Sequence, residues 1–237
     1  MGLRMQPAKV ICDAIAMPIP SAEPERLDLV RTTLYTAVIG DVLDQLGRKH
    51  QFLPPEIGPL APQMRAAGRA MPVLTRDVFG AQREPFGRLT EALDDLRPDE
   101  VYLARNPRAQ CAAWGEILTA TARARGAAAA VIDGYHRDTH RVLEQRWPVF
   151  SRGAYGQDAG VRTRVVDFRT TVEIGQVSVE PGALVVGDVD GVVVVPRELE
   201  DEVLERAVAK AAAENQVRAA IEAGMSASEA FATFGVL

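Results

Sequence analysis

The chain has 237 residues, 47% hydrophobic and 25% charged, enough to bury a full core in one large domain or two small ones and too apolar to remain disordered. Its formal net charge of −5 and pI near 5.4 exclude a surface built to attract phosphate backbones, so no nucleic-acid partner is expected. No stretch approaches ~18 uninterrupted apolar residues, which argues against any helical membrane span or membrane partner.

Residues 1–22 are proline-rich and aperiodic, and are expected to form an N-terminal arm ahead of a domain covering 23–237. Pro7, Asp13, Pro18 and Pro20 interrupt anything resembling the apolar core of a secretion signal. The two cysteines, Cys12 and Cys111, lack the spacing of a metal knuckle or redox pair and read as thiols of a reducing compartment, so a cytoplasmic location is expected. A helical pattern begins at Pro24, with Ile39, Val42, Leu43 and Leu46 on one stripe and Gly47 as its stop. Residues 53–62 read as a proline-rich loop and 67–74 as a first strand. Residues 115–125 predict a helix stopped by Gly126, leading into a short buried strand over 127–132 that ends at Asp133 and Gly134.

After Trp147 the texture becomes β-rich. Short runs at 148–150, 164–168, 172–174, 176–179, 184–186 and 192–195, divided by glycines and the Asp190-Gly191 turn, predict a meander or sandwich. An alanine-rich helix follows over 198–223, with Gly224 as its stop. Ser226 and Glu229 match a capping box opening a final short helix to Phe234. Nothing divides the chain into repeats or linker-joined halves, so one mixed α/β domain is the simplest organisation.

The densest polar cluster, residues 133–140, sits just past the 127–132 strand, and strand C-terminal ends commonly line sites in α/β folds. The helix start at Gly115, Ile117 and Leu118 offers unpaired backbone N–H groups that suit a carboxylate. Glu116 and Asp138 supply hard oxygen atoms of the kind preferred by Mg²⁺ or Mn²⁺, and Arg137 a planar donor fork for a 2-oxo acid. From spacing alone, Arg137-Asp138 reads equally as a solvated surface pair, and Glu116 as a complement to the helix dipole. Asp41 and Asp44 read as a solvated face, Trp114 and Trp147 as core or interface anchors, and His140 as a surface residue. The Gly187 to Gly191 segment fits a hairpin better than a phosphate loop, because its two aspartates repel phosphate.

The segments Trp114-Gly115-Glu116-Ile117-Leu118 and Val131-Ile132-Asp133-Gly134-Tyr135-His136-Arg137-Asp138 resemble the family that contains the regulator of ribonuclease activity A and the 4-hydroxy-4-methyl-2-oxoglutarate aldolases. Metal-dependent members carry an acid, twenty residues and then Arg-Asp, as Glu116, residues 117–136 and Arg137-Asp138 do here. Further matches follow in order at residues 36–47, 148–153, 181–196 and 234–237.

The resemblance implies an α/β fold of the swivelling β/β/α sandwich type, a single domain with flanking helices, assembled as a homotrimer or homohexamer with sites between subunits. It implies a divalent-metal-dependent lyase that forms pyruvate enolate from a 4-hydroxy-2-oxo acid by retro-aldol cleavage, or by oxaloacetate decarboxylation. Asp138 would bind Mg²⁺ or Mn²⁺, Glu116 would act through a metal-bound water, and Glu214 of a neighbouring subunit would approach the metal. Arg137 would contact the substrate oxygen, with the amides at Gly115, Ile117 and Leu118 holding the carboxylate. His136 departs from the family pattern and reads either as a proton carrier beside the metal or as a histidine merely hydrogen-bonded in its loop.

The alternative within the family is a non-catalytic regulator that binds a ribonuclease. That branch has glycine where Glu116 stands, which tilts the reading toward catalysis. A methyltransferase is disfavoured by the lack of a glycine-rich strand-to-helix loop, and a Schiff-base aldolase by the isolation of Lys9, Lys49 and Lys210. Glu116 replaces the family's usual aspartate, Tyr135-His136 stands where small or aliphatic residues are frequent, and Ala183 stands where an aspartate is common.

Overall fold

Strands made of unbroken apolar runs need cover on both faces, and the fold is arranged to supply it. The computed structural model describes residues 18–80, 82–83, 85–105 and 110–235. Helices α1 (Glu23–Thr33) and α2 (Thr36–Gln45) come first, then β1 (Gly58–Pro59), β2 (Ala66–Asp77), α3 (Leu89–Asp94) and β3 (Glu100–Arg105). Next are β4 (Ala112–Trp114), α4 (Glu116–Ala124), β5 (Ala129–Asp133), β6 (Tyr135–His136), α5 (Thr139–Glu144) and β7 (Val149–Ser151). Strands β8 (Thr163–Phe168), β9 (Val172–Ile174), β10 (Val177–Val179), β11 (Leu184–Asp188) and β12 (Gly191–Val195) lead to α6 (Glu200–Glu222) and α7 (Ala227–Phe234).

The main sheet runs β1-β7-β5-β3-β2-β11-β12, parallel from β7 through β2, and β8 pairs with the far half of β2. Leu53 N–H donates to Val192 and Val194 N–H to Gln51, so the segment before β1 lies along β12 and nearly closes the sheet. Alternation along the strands then separates three apolar layers. Val101, Leu103, Val131, Val185 and Val194 face the inside, where the β9–β10 hairpin fills the space with Val172, Ile174, Val177 and Val179. Tyr102, Ala104, Ala130 and Ile132 face outward under α3, α4 and α5. Leu184, Val186, Val193 and Val195 face outward under α1, α2 and α6.

The fold is therefore the expected mixed α/β sandwich with flanking helices, and three local expectations change. Of the meander or sandwich expected after Trp147, the meander form is not taken, because α5 carries the chain across to lay β7 parallel beside β5, and among the described residues only β9–β10 and β11–β12 are hairpins. The helical region from Pro24 is interrupted at Leu34 and Tyr35, both extended, since Leu34 drops into the core. The long C-terminal helix starts at Glu200 after a 3-10 turn, with Glu200 buried between Arg26 and Arg69. The Ser226–Glu229 capping box is present as expected. Most of the arm, including Lys9 and Cys12, lies outside the described residues, as do residues 236–237. No helix among the described residues is long and apolar enough to cross a membrane.

The break before α2 is closed by a distant carboxylate. Asp188, at the end of β11, accepts from the Thr36 N–H and hydroxyl, each at 2.7 Å, while Thr36 is fully buried. Tyr35 at the N-cap makes no side-chain cap of its own, so the β11–β12 hairpin caps α2 in its place. Asp188→Ala should lower unfolding free energy by about 3 kcal/mol by leaving both donors without an acceptor, read as a reduced denaturation midpoint with an unchanged slope.

Candidate active site

The site is assembled where the outer helical layer meets a small second sheet. In that sheet β4 and β6 run parallel, with Ala112 opposite Tyr135 and Trp114 opposite His136. Arg137 N–H donates to Trp114 C=O at 2.9 Å, His136 N–H to Gly153 C=O at 3.0 Å, and Ala112 N–H to Gln157 C=O at 2.7 Å. These bonds draw residues 112–116, 135–138 and 153–158 together although they are far apart in sequence.

Helix α4 begins at Glu116 with Gly115 as an N-cap that carries no capping side chain. Of its leading amides, Glu116 N–H is met by Asp138 Oδ2 at 3.4 Å, and those of Ile117 and Leu118 have no protein acceptor among the described residues. Unpaired amides and the positive end of the dipole make this end a ready anion cradle. Thr119 braces the turn, accepting from Trp114 Nε1 at 2.8 Å and donating to Gly115 C=O at 2.9 Å.

Asp138 is left-handed, at φ 57 and ψ 33, and starts α5 without capping it through its side chain. The carboxylate instead lies against Gly115, where an added Cβ would come within 2.7 Å of Oδ2. Gly115 has ordinary extended backbone, so its lack of a side chain answers to this close approach. Arg137 spans two acids, with Nε 3.7 Å from Asp138 and a terminal nitrogen 2.9 Å from Asp158. A cleft of about 410 Å³ joins these groups, and its lining includes Glu116, Arg137, Asp138 and Asp158 together with the apolar Phe86, Leu89 and Leu93. A second cleft of similar size, about 370 Å³, between residues 47–51 and 176–183 contains no predicted site residue.

The structure thus brings Gly115, Glu116, Ile117, Leu118, Arg137 and Asp138 to one cleft. His136 lies behind it rather than along it. Its Nδ1 is 2.7 Å from Ser151 Oγ and its Nε2 3.0 Å from Thr139 Oγ1, and burial lowers its pKa below the ordinary 6.5. Both ring nitrogens are occupied, so His136 clamps β6 to β7 and to α5. Tyr135 rests against Tyr155, and Arg152 pairs with Asp133 and Glu56.

Glu214 belongs to another layer, on α6, where it accepts from Tyr35 and pairs with Lys210 at 2.9 Å. Burial pushes the Tyr35 phenol up to about 12, with help from Glu214, so it remains a donor. An approach of Glu214 to an active cleft is compatible only with the cleft of another copy. Asp41 is exposed and pairs with Lys210, and His140 is exposed on α5. Trp114 and Trp147 stack in the core at 6.1 Å. The sequence reading overlooked Asp158 and Phe86, although Asp158 is the one acid between residues 152 and 162.

The RraA-like model, described as Aldolase/RraA, matches residues 36–194. The chain belongs to this family. It is 30% identical over 201 residues to a Halalkalibacterium halodurans protein named "Putative 4-hydroxy-4-methyl-2-oxoglutarate aldolase", covering 84% of this chain and 90% of that one. It is 27% identical over 198 residues to the Legionella pneumophila protein DlpA, and this match covers 82% of the chain but spans only 31% of DlpA. Among solved structures, an uncharacterised Pseudomonas syringae protein shares 32% identity with a TM-score of 0.81, over 92% of this chain and 97% of that one. The Aldolase/RraA match includes α4, β5, β6 and Arg137-Asp138, so the cleft lies within the shared fold.

The His136 clamp has a pH signature. Because the folded pKa lies below 6.5, the native state resists a proton that the unfolded chain accepts, so this contribution is complete above 6.5 and is lost as pH falls below it. His136→Gln should flatten this part of the profile of thermal midpoint against pH, whereas an unchanged profile would mean that the imidazole is not held neutral.

Proposed function

We propose that this protein is a divalent-cation-dependent carbon–carbon lyase that releases pyruvate from a 4-hydroxy-2-oxo acid, or from oxaloacetate by decarboxylation. The observation that carries this reading is the meeting of Asp138, Arg137 and the uncapped start of α4 at one cleft. The oxygen donors fit a hard cation. Among the described residues no three Asp, Glu, His or Cys side chains enclose an ion, but Mg²⁺ commonly keeps several waters and uses one or two carboxylates with substrate oxygens. Asp138 is the direct ligand in this reading, with Glu116 beside it. When bound, the cation supplies Lewis-acid polarisation of the 2-oxo group.

The remaining work falls to the chain itself. The amides of Ile117 and Leu118 hold the substrate carboxylate at the positive end of α4. Arg137, steadied by Asp158, faces the 2-oxo oxygen and stabilises the negative charge that grows there as the bond breaks. Glu116 takes the proton of the C4 hydroxyl in retro-aldol cleavage. His136, with both nitrogens engaged, acts as a positioning residue that keeps Arg137 and Asp138 between β6 and α5. The name of the Halalkalibacterium halodurans relative is consistent with an aldolase.

The purified protein supplied with Mg²⁺ or Mn²⁺ should form pyruvate from oxaloacetate or a 4-hydroxy-2-oxo acid, followed through coupled reduction of pyruvate. Asp138→Ala should lower turnover at least about 100-fold, and Arg137→Met should lower kcat by about 100-fold. Wild-type turnover in the Asp138 variant would overturn the assignment.

A further inference from the structure

Arg137 stands between two acids, and it is not shared evenly. A terminal nitrogen lies 2.9 Å from Asp158 Oδ1, whereas Nε lies 3.7 Å from Asp138 Oδ2, although Asp138 is the next residue in the chain. The three side chains are between 40% and 43% exposed, and ion pairs this exposed add little to stability. What such a pairing does fix is where a planar, forked cation sits.

Asp158 is itself held in one position. Its Oδ2 accepts from Gly160 N–H at 2.8 Å, and its C=O accepts from Arg162 Nη1 at 2.9 Å. Its backbone bridges to Ala112, next to the bond from Ala112 N–H to Gln157 C=O, so it is tied to β4, the strand that leads into Gly115. A Cβ at Gly160 would come within 2.7 Å of Asp158 Oδ2, the same separation that a Cβ at Gly115 would have from Asp138 Oδ2. Each acid beside Arg137 is thus seated against a glycine, and two separate stretches of chain leave room for the pair.

We infer that Asp158 is a positioning residue that draws Arg137 away from Asp138 and so leaves the Asp138 carboxylate free to take a divalent cation. The inference rests on the reading of Asp138 as the cation ligand given above. With Asp158 neutral, the acid left within ion-pair reach of Arg137 among the described residues is Asp138, and the guanidinium closes onto it. A charge-assisted hydrogen bond from the guanidinium then occupies lone pairs that a cation needs, and it sets a positive charge beside a divalent one. The same shift withdraws Arg137 from the place where it would face a 2-oxo oxygen. Asp158 therefore sets cation affinity through Arg137, without touching the cation.

The test is a double-mutant cycle read by Mn²⁺ binding to the intact protein, with free Mn²⁺ followed by electron paramagnetic resonance in wild type, Asp158→Asn, Arg137→Met and the double variant. Asparagine keeps an oxygen that can accept from Gly160 N–H, so the turn is retained. Asp158→Asn should weaken Mn²⁺ binding about tenfold when Arg137 is present. In the Arg137→Met background the same substitution should cost about threefold or less at about 0.15 M salt, the direct effect of one screened charge. Equal losses in the two backgrounds would show Asp158 acting as a charge alone, and that result, or no loss when Arg137 is present, would overturn the inference and leave the lyase reading standing. The expected pattern without pyruvate formation from any 2-oxo acid would support the inference and sink the lyase reading alone. A wild-type protein that binds no Mn²⁺ would overturn both.

Discussion

The arrangement depends on where one carboxylate points. Asp138 begins α5, and its carbonyl accepts from Val142 N–H at 3.0 Å, yet its side chain turns from its own helix to the start of α4. A left-handed aspartate costs about 1 kcal/mol, and the contacts with Glu116 N–H and Arg137 help offset it. The carboxylate thereby stands exposed at a cleft beside unpaired amides. Gly115 makes this possible because a side chain there would occupy the same space.

That geometry is held from behind by the fold. The parallel pairing of β4 with β6 fixes Arg137 to Trp114, and the His136 clamp ties the same turn to Ser151 and Thr139. Beneath it, Trp114 packs with Tyr102 and Trp147, so the turn stands on a rigid aromatic layer of the outer core. The longest strand, β2, joins β3, β8 and β11 and so connects this layer to the α1, α2 and α6 layer.

Local patterns were legible in the sequence where local physics decides them. Gly126, Gly224 and the Ser226–Glu229 box mark helix ends correctly, and the Asp190-Gly191 turn makes the β11–β12 hairpin. Partner choice was not legible. A run such as Val149 to Ser151 has the same texture whether it pairs in a meander or lies parallel beside β5, because a crossover decides it. The convergence of Glu116 with Arg137-Asp138 was suggested by resemblance and by the order helix, strand, polar turn. Asp158 and Phe86 were hidden because a loop and a bridge to Val165 bring them in from elsewhere in the chain. For His136 the sequence left a proton carrier and a hydrogen-bonded loop histidine open, and the ring is hydrogen-bonded to Ser151 and Thr139.

Placement of the Asp138 carboxylate against Gly115 is the central claim, and metal binding reads it without reference to any substrate. Electron paramagnetic resonance of free Mn²⁺, titrated against wild type and Gly115→Ala, measures it directly. The account predicts that the added methyl group displaces the carboxylate and weakens Mn²⁺ binding by about tenfold or more, with the fold retained. Equal affinity in the two proteins would contradict it.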